Sequence, residues 1–169
     1  MALTSRFYMA VAAEYTSPID LGNPTSNTDW ARQVVLASGT GAGQADLIFT
    51  DTRTLAASAT EDLDLAGSLV GAFGATLTFV KVKAVAVAAA AGNTNNVVVG
   101  AASSNPWATL LNSTGTVTLR PGAFFVAVAG VADSTGYGVT ASTGDLLKVA
   151  NSAGSTGVSY DLIVIGTSA

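Results

Sequence analysis

The sequence predicts an all-β chain: an antiparallel β-sandwich of jelly-roll type, residues 44–169, carrying an extended N-terminal arm, residues 1–43. Three observations predict it. From Gln44 onward the chain breaks into short runs rich in Val, Thr, Phe, Leu and Ile, separated by Gly, Asn, Ser and Pro, which is the punctuation of strands joined by turns. No stretch of helical period separates those runs, so parallel βαβ units are not expected. Charged residues are only 11% of the 169, against about 25% in an ordinary soluble domain, and both faces of several runs are small and apolar.

Taken in order, residues 1–43 hold Pro18, Pro24, the polar run Asn23-Pro-Thr-Ser-Asn-Thr-Asp29 and Trp30-Ala-Arg-Gln-Val-Val-Leu36. Neither a period of 2 nor one of 3.6 is sustained for long, so this reads as a lead-in unable to bury itself, mobile until it docks. Its anchors would be Phe7, Tyr8, Met9, Tyr15, Trp30, Val34, Val35 and Leu36, with Ser38-Gly-Thr-Gly-Ala-Gly43 as a hinge. Strands are predicted at 45–50, 52–59, 62–65, 76–89, 96–101, 116–120, 123–129, 145–150 and 158–165. Eight or nine strands in this length is sandwich or jelly-roll spacing. Within 76–89 the apolar phase slips at Phe79-Val80, which predicts a β-bulge or a strand buried on both faces.

The two-sided runs carry the prediction of assembly. Val85 and Val87 would lie exposed unless something covers them, and Phe125, Ile163 and Ile165 fall opposite other apolar residues of their strands. Such faces exceed what a monomer leaves in water, so a homo-oligomer, dimer or trimer, is expected. The indoles Trp30, in the arm, and Trp107, after Asn105-Pro106, are candidate anchors; core filling is the ordinary role of a residue such as Trp107.

Composition excludes much chemistry. With no His and no Cys, the chain has no Ser-His-Asp or Cys-His constellation and no usual zinc, haem or iron–sulfur ligand set. No cofactor, metal site or catalytic residue is expected. Seven Lys and Arg against eleven Asp and Glu, a net charge of −4, are too few cations for a phosphate-binding surface, so nucleic acid is not an expected partner. The uncharged stretch from Ala84 to Leu119 is cut by Gly92-Asn-Thr-Asn-Asn96, short of the ~20 apolar residues of a membrane span. No membrane contact or secretory leader is expected.

Weaker motifs are set against plain readings. Gly39-Thr-Gly-Ala-Gly43 lacks the spacing and Lys of a phosphate loop. Glu61, Asp62 and Asp64, with Asp51, supply oxygens suited to calcium, yet Asp62-Leu-Asp-Leu65 alternates as a strand with one solvated face. A glycosidase needs only two carboxylates, and Asp51, Glu61, Asp133 and Asp145 form the pool. Asn112-Ser-Thr114 is read as a polar turn rather than a glycan acceptor.

The runs Thr52-Arg-Thr-Leu-Ala-Ala-Ser58, Asp62-Leu-Asp-Leu-Ala-Gly67, Ala72-Phe-Gly-Ala-Thr76, residues 90–100, Arg120-Pro-Gly-Ala-Phe-Phe125 and residues 143–152 together resemble small β-rich virion proteins of tailed bacteriophages. The nearest class is the jelly-roll capsid cement or decoration proteins. The resemblance covers roughly 45–165 and not the arm. It implies a non-enzymatic protein of the capsid surface, made in the bacterial cytoplasm, whose partner is the major capsid protein and whose arm ties neighbours together. The interaction residues expected are Trp30, Val34, Val35, Leu36, Val85, Val87, Trp107, Phe125, Ile163 and Ile165. Two other functions fit the sequence: a tail-tip or head-fibre protein binding host glycan, and a carboxylate-only glycan hydrolase.

Overall fold

The computed structural model describes residues 2–169; Met1 of the arm lies outside the described residues. Strands hold 54% of the chain and helix 2%, so the Ala-rich runs are extended, as their alternating Val residues predict. In chain order the strands are β1 (Ser5–Thr16), β2 (Thr25–Ser38), β3 (Gln44–Ala45), β4 (Leu47–Leu55), β5 (Thr60–Asp64), β6 (Leu69–Val70), β7 (Thr76–Leu77), β8 (Lys81–Ala89), β9 (Val97–Gly100), β10 (Thr116–Leu119), β11 (Phe124–Val128), β12 (Tyr137–Gly138), β13 (Leu146–Asn151) and β14 (Val158–Thr167), with one helical turn, α1 (Ala108–Leu111).

The body is two facing antiparallel sheets. One runs β11-β8-β14-β4, with β12 also on β8, and the other β10-β9-β13-β5. Of the eight principal strands, the first (β4) pairs the last (β14), and the second (β5) pairs the second to last (β13). Setting aside the two-residue strands, the orders are sixth-third-eighth-first and fifth-fourth-seventh-second, which is jelly-roll winding. Alternation fills the space between the sheets. Phe49, Leu55, Val85, Val87, Tyr160, Leu162 and Val164 from one sheet meet Leu63, Val97, Val99, Leu119, Leu147 and Val149 from the other.

Several sequence expectations change here. The runs 45–50 and 52–59 are largely one strand, β4, because Asp51 and Arg53 pair with Leu162 and Tyr160 without interrupting the ladder. The predicted strand 76–89 is two, and the phase slip at Phe79-Val80 is the break between them: the Phe79 amide donates to Leu65 O and the Val80 amide to Thr167 O. The register shift follows within β8: across Ile165–Gly166 of β14 the partner moves from Ala84 to Val82, so Lys83 is the extra residue and the predicted run does carry a β-bulge, four residues beyond the phase slip. A Cβ at Gly166 would lie 2.1 Å from Lys81 O, so only glycine allows the two backbones to approach there.

Val85 and Val87, expected on an uncovered face, are core residues at 2% and 1% exposure. Their strand's other face presents Ala84, Ala86 and Ala88 instead. Trp107 is likewise core: its Nε1 donates to Gly138 O at 3.0 Å and its ring meets Tyr137 edge-on. Lys83 is buried, its Nζ donating to Asp133 O at 2.8 Å. The Asn112 side chain accepts from the Thr114 and Gly115 amides, the polar turn that the sequence predicts.

The arm differs most. β1 and β2 pair antiparallel in unbroken register from Ser5↔Leu36 to Thr16↔Thr25. At ~3.4 Å per residue this is a ribbon about 40 Å long. The glycine stretch after it closes a turn rather than a loose hinge: Gln44 Oε1 accepts from the Gly41 amide at 2.9 Å, and β2 pairs β3 in parallel.

Candidate functional site

Directly opposed residues of an antiparallel pair share a face, so the ribbon's register sorts its side chains. One face carries Phe7 with Val34, Met9 with Arg32, Val11 with Trp30, Ala13 with Thr28 and Tyr15 with Ser26. The other carries Arg6 with Val35, Tyr8 with Gln33, Ala12 with Asp29 and Glu14 with Asn27. The ribbon is amphipathic, and its apolar face begins inside the molecule. Leu36, Ala45, Ala84 and Ile165 form a buried cluster against which Leu3, Phe7, Val34 and Val128 pack. Beyond Phe7 and Val34 the ribbon leaves the body, and Met9, Val11, Tyr15 and Trp30 are exposed. The Arg32 guanidinium lies 5.2 Å from the centre of the Trp30 ring, covering part of it by a cation–π contact. At the tip Leu21 is 94% exposed.

The second part of the site is the outer face of the β11-β8-β14-β4 sheet. Its rows are Val128-Ala84-Ile165-Ile48, then Val126-Ala86-Ile163-Thr50, then Phe124-Ala88-Asp161-Thr52. Alanines run down the middle strand between larger residues on both neighbours, which makes a shallow trough. The ribbon's base fills the trough at Ala84. Next to it Ile163 is 38% exposed and Phe124 69%.

The expected interaction residues therefore divide. Trp30 and Ile163 are exposed on the two apolar faces, and Val34 is half-buried at the root of the ribbon. Val35 is exposed but sits on the polar face. Leu36 and Ile165 are buried in the contact between ribbon and body. Phe125 packs partly against the core, while Val85, Val87 and Trp107 are within it, so these four are not surface anchors. Val11 and the alanine trough were not predicted. The signal for Val11 is the alternation of Phe7, Met9, Val11, Ala13 and Tyr15, hidden because Tyr8, Ala10 and Ala12 between them are apolar too.

The carboxylates are scattered or tied. Arg53 Nε and Nη2 donate to Glu61 Oε2 at 2.9 and 2.5 Å, Arg53 Nη1 donates to Asp51 Oδ2 at 2.7 Å, and Tyr160 Oη donates to Glu61 Oε1. The hydrogen bond to Glu61 pushes the Arg53 pKa further up, and burial, then Glu61, pushes the Tyr160 phenol well above its ordinary value. This cluster closes one edge of the sandwich between β4 and β5. Asp133 caps a turn, where the Thr135 hydroxyl, then the Gly136 and Thr135 amides, hold its carboxyl down at about 2. Asp145 accepts from the Ser142 amide at 2.5 Å. Asp62 points away from Glu61 on an exposed face. Among the described residues no group of three or more acidic side chains is placed to hold a metal ion, and no helix is long and apolar enough to cross a membrane.

Compared with known proteins, the chain matches no family model, no curated protein and no solved structure.

Proposed function

We propose that this chain is a structural virion protein of the capsid cement or decoration type, which docks on the outer capsid lattice and stabilises the head without turning over a substrate. The observation that carries this reading is the amphipathic ribbon rooted in a buried cluster on the outer sheet of a jelly roll. A two-stranded ribbon standing alone is at best marginally stable in water, and one that exposes Met9, Val11, Tyr15 and Trp30 on a single face is built to be covered. Because Met9, Val11 and Trp30 are already about half covered, closing over each gives on the order of 1 kcal/mol. Because the ribbon is already paired, docking forgoes much of the ordering cost of a loose arm, ~1–2 kcal/mol per residue for backbone. The jelly roll supplies a body on which such a ribbon can be mounted, and jelly rolls recur in viral capsids. The major capsid protein is the expected partner.

Electron microscopy of purified virions tests the reading, with density for this protein expected on the head surface. A position at the tail tip, or absence from the virion, would overturn it. A companion variant replaces residues 10–31 with Asn-Gly, closing the ribbon at the Met9–Arg32 pair and keeping its base. Its retention on heads, and the heat resistance of those heads, should fall well below that of the full chain.

A further inference from the structure

Two apolar surfaces of this molecule lie uncovered, and they match each other. One is the distal ribbon face of Met9, Val11, Tyr15 and Trp30; the other is the open part of the outer trough at Ala86 and Ala88, flanked by Ile163 and Phe124. The molecule already contains a sample of how they fit. At the ribbon's root, Phe7, Val34 and Leu36 from the same ribbon face pack on Ala84 and Ile165, the adjoining row of the same trough. Bulky residues at two-residue spacing descend on alanines held between β-branched neighbours, and that pattern continues one row further on the sheet and one pair further on the ribbon. Within one chain the two cannot meet, because the ribbon leaves the sheet after Phe7 and Val34.

We infer that the occupant of the open trough is the distal ribbon of a second copy of this chain, so that copies of the protein exchange ribbons across their outer sheets. This deepens the assembly reading above and rests on it for the role of the ribbon, which here ties neighbouring copies to one another on the lattice rather than gripping the capsid protein itself. Area favours a reciprocal exchange. The open trough is two rows, ~14 Å along the strands, and the ribbon face is ~10 Å wide, so one docked ribbon buries roughly 300 Å2 counting both partners. A single contact of that size is weak, whereas two in a reciprocal pair double it to roughly 600 Å2 and make release of one ribbon depend on the other, which is the weak, reversible class of interface. Charge does not oppose the fit: on the docking faces the ribbon brings Arg32 and the trough brings Asp161, while Glu14 and Asp29 lie on the ribbon's polar face.

The absence of cysteine makes the test clean. Two single-cysteine chains of different tagged mass, Val11→Cys and Ile163→Cys, are purified, mixed, re-equilibrated and treated with a short bis-maleimide. The mixture should give a cross-linked pair containing one of each chain, in at least tenfold excess over the product of either variant alone. No mixed product, or a Val11→Cys product with itself in equal yield, would overturn the inference. A second arm uses Ile163→Glu, a change at a partly exposed position. Light scattering should show the unsubstituted chain as at least two copies and Ile163→Glu as one, with unchanged circular dichroism. An unaltered mass in Ile163→Glu, or a monomeric parent, would equally overturn it. Both readouts use the free protein, so their failure leaves the head-surface location to be decided by microscopy, and the converse also holds.

Discussion

Glu61 accepts hydrogen bonds from two residues of the opposite sheet, Arg53 and Tyr160, and so fastens the sandwich along an edge where hydrophobic packing runs out. Burial disfavours the charged phenolate, and the bond to Glu61 adds to this, so the folded state holds Tyr160 protonated well above the ordinary tyrosine range. A pKa raised on folding stabilises the fold fully below the unfolded value, ~10, and that stability is lost as pH rises beyond it. In an alkaline absorbance titration, the Tyr160 component should therefore appear only together with unfolding, and Tyr160→Phe should remove it. Glu61→Gln leaves Arg53 and Tyr160 with a poorer acceptor in a partly buried site and should cost about 1–3 kcal/mol in urea unfolding. Asp62→Asn, one residue away but exposed, should change stability by less than about 0.5 kcal/mol.

At the scale of the element, the ribbon has a gradient along its length. Its root is core: Leu36 is 1% exposed and packs with Ile165 and Ala84. Truncating Leu36 to Ala should cost about 2–5 kcal/mol, the range for a buried leucine. The same truncation of Val11, exposed on the distal part, should leave the unfolding of the single chain within about 0.5 kcal/mol. Thermal unfolding of the two variants, on a background held monomeric by Ile163→Glu, measures the difference. Equal effects would mean that the ribbon is stabilised evenly along its length, against the burial pattern. This gradient also explains why removing residues 1–43 outright is a poor test of the arm, since it would strip the cover from Ala84 and Ile165.

At the scale of the whole molecule, jelly-roll winding puts the last strand in the middle. β14 lies between β8 and β4 and supplies Tyr160, Leu162 and Val164 to the core, each at 1% exposure or less. Deleting residues 158–169 should therefore abolish the fold rather than trim an edge, seen as loss of the native circular dichroism and of cooperative unfolding. A truncated chain that still melted cooperatively would contradict this topology. Because the first body strand pairs the last, loop-closure entropy must be met before most pairs form, and folding in milliseconds to seconds is expected for such non-local topology.

By itself, the sequence determined the all-β class, six of the body's strands to within two residues, and the polar turns. Short alternating runs bounded by Gly and Asn, as in residues 145–151 and 158–165, encode period and punctuation locally. It also determined that His- and Cys-based chemistry has no residues to use. What it left to the tertiary structure was which face of each run points inward. In residues 81–89 plain alternation puts Val85 and Val87 on the face of Lys81 and Lys83, and the extra residue at Lys83 breaks that phase: Val82, Val85 and Val87 fill the space between the sheets, while Ala84 faces outward and admits the ribbon. The arm reads as shapeless for a related reason. Its alternation of Phe7, Met9, Val11 and Tyr15 is masked by apolar residues between, and its pairing with residues 25–38 is a long-range register that no local window contains. Pairing needs both strands side by side, and only the folded chain brings them there.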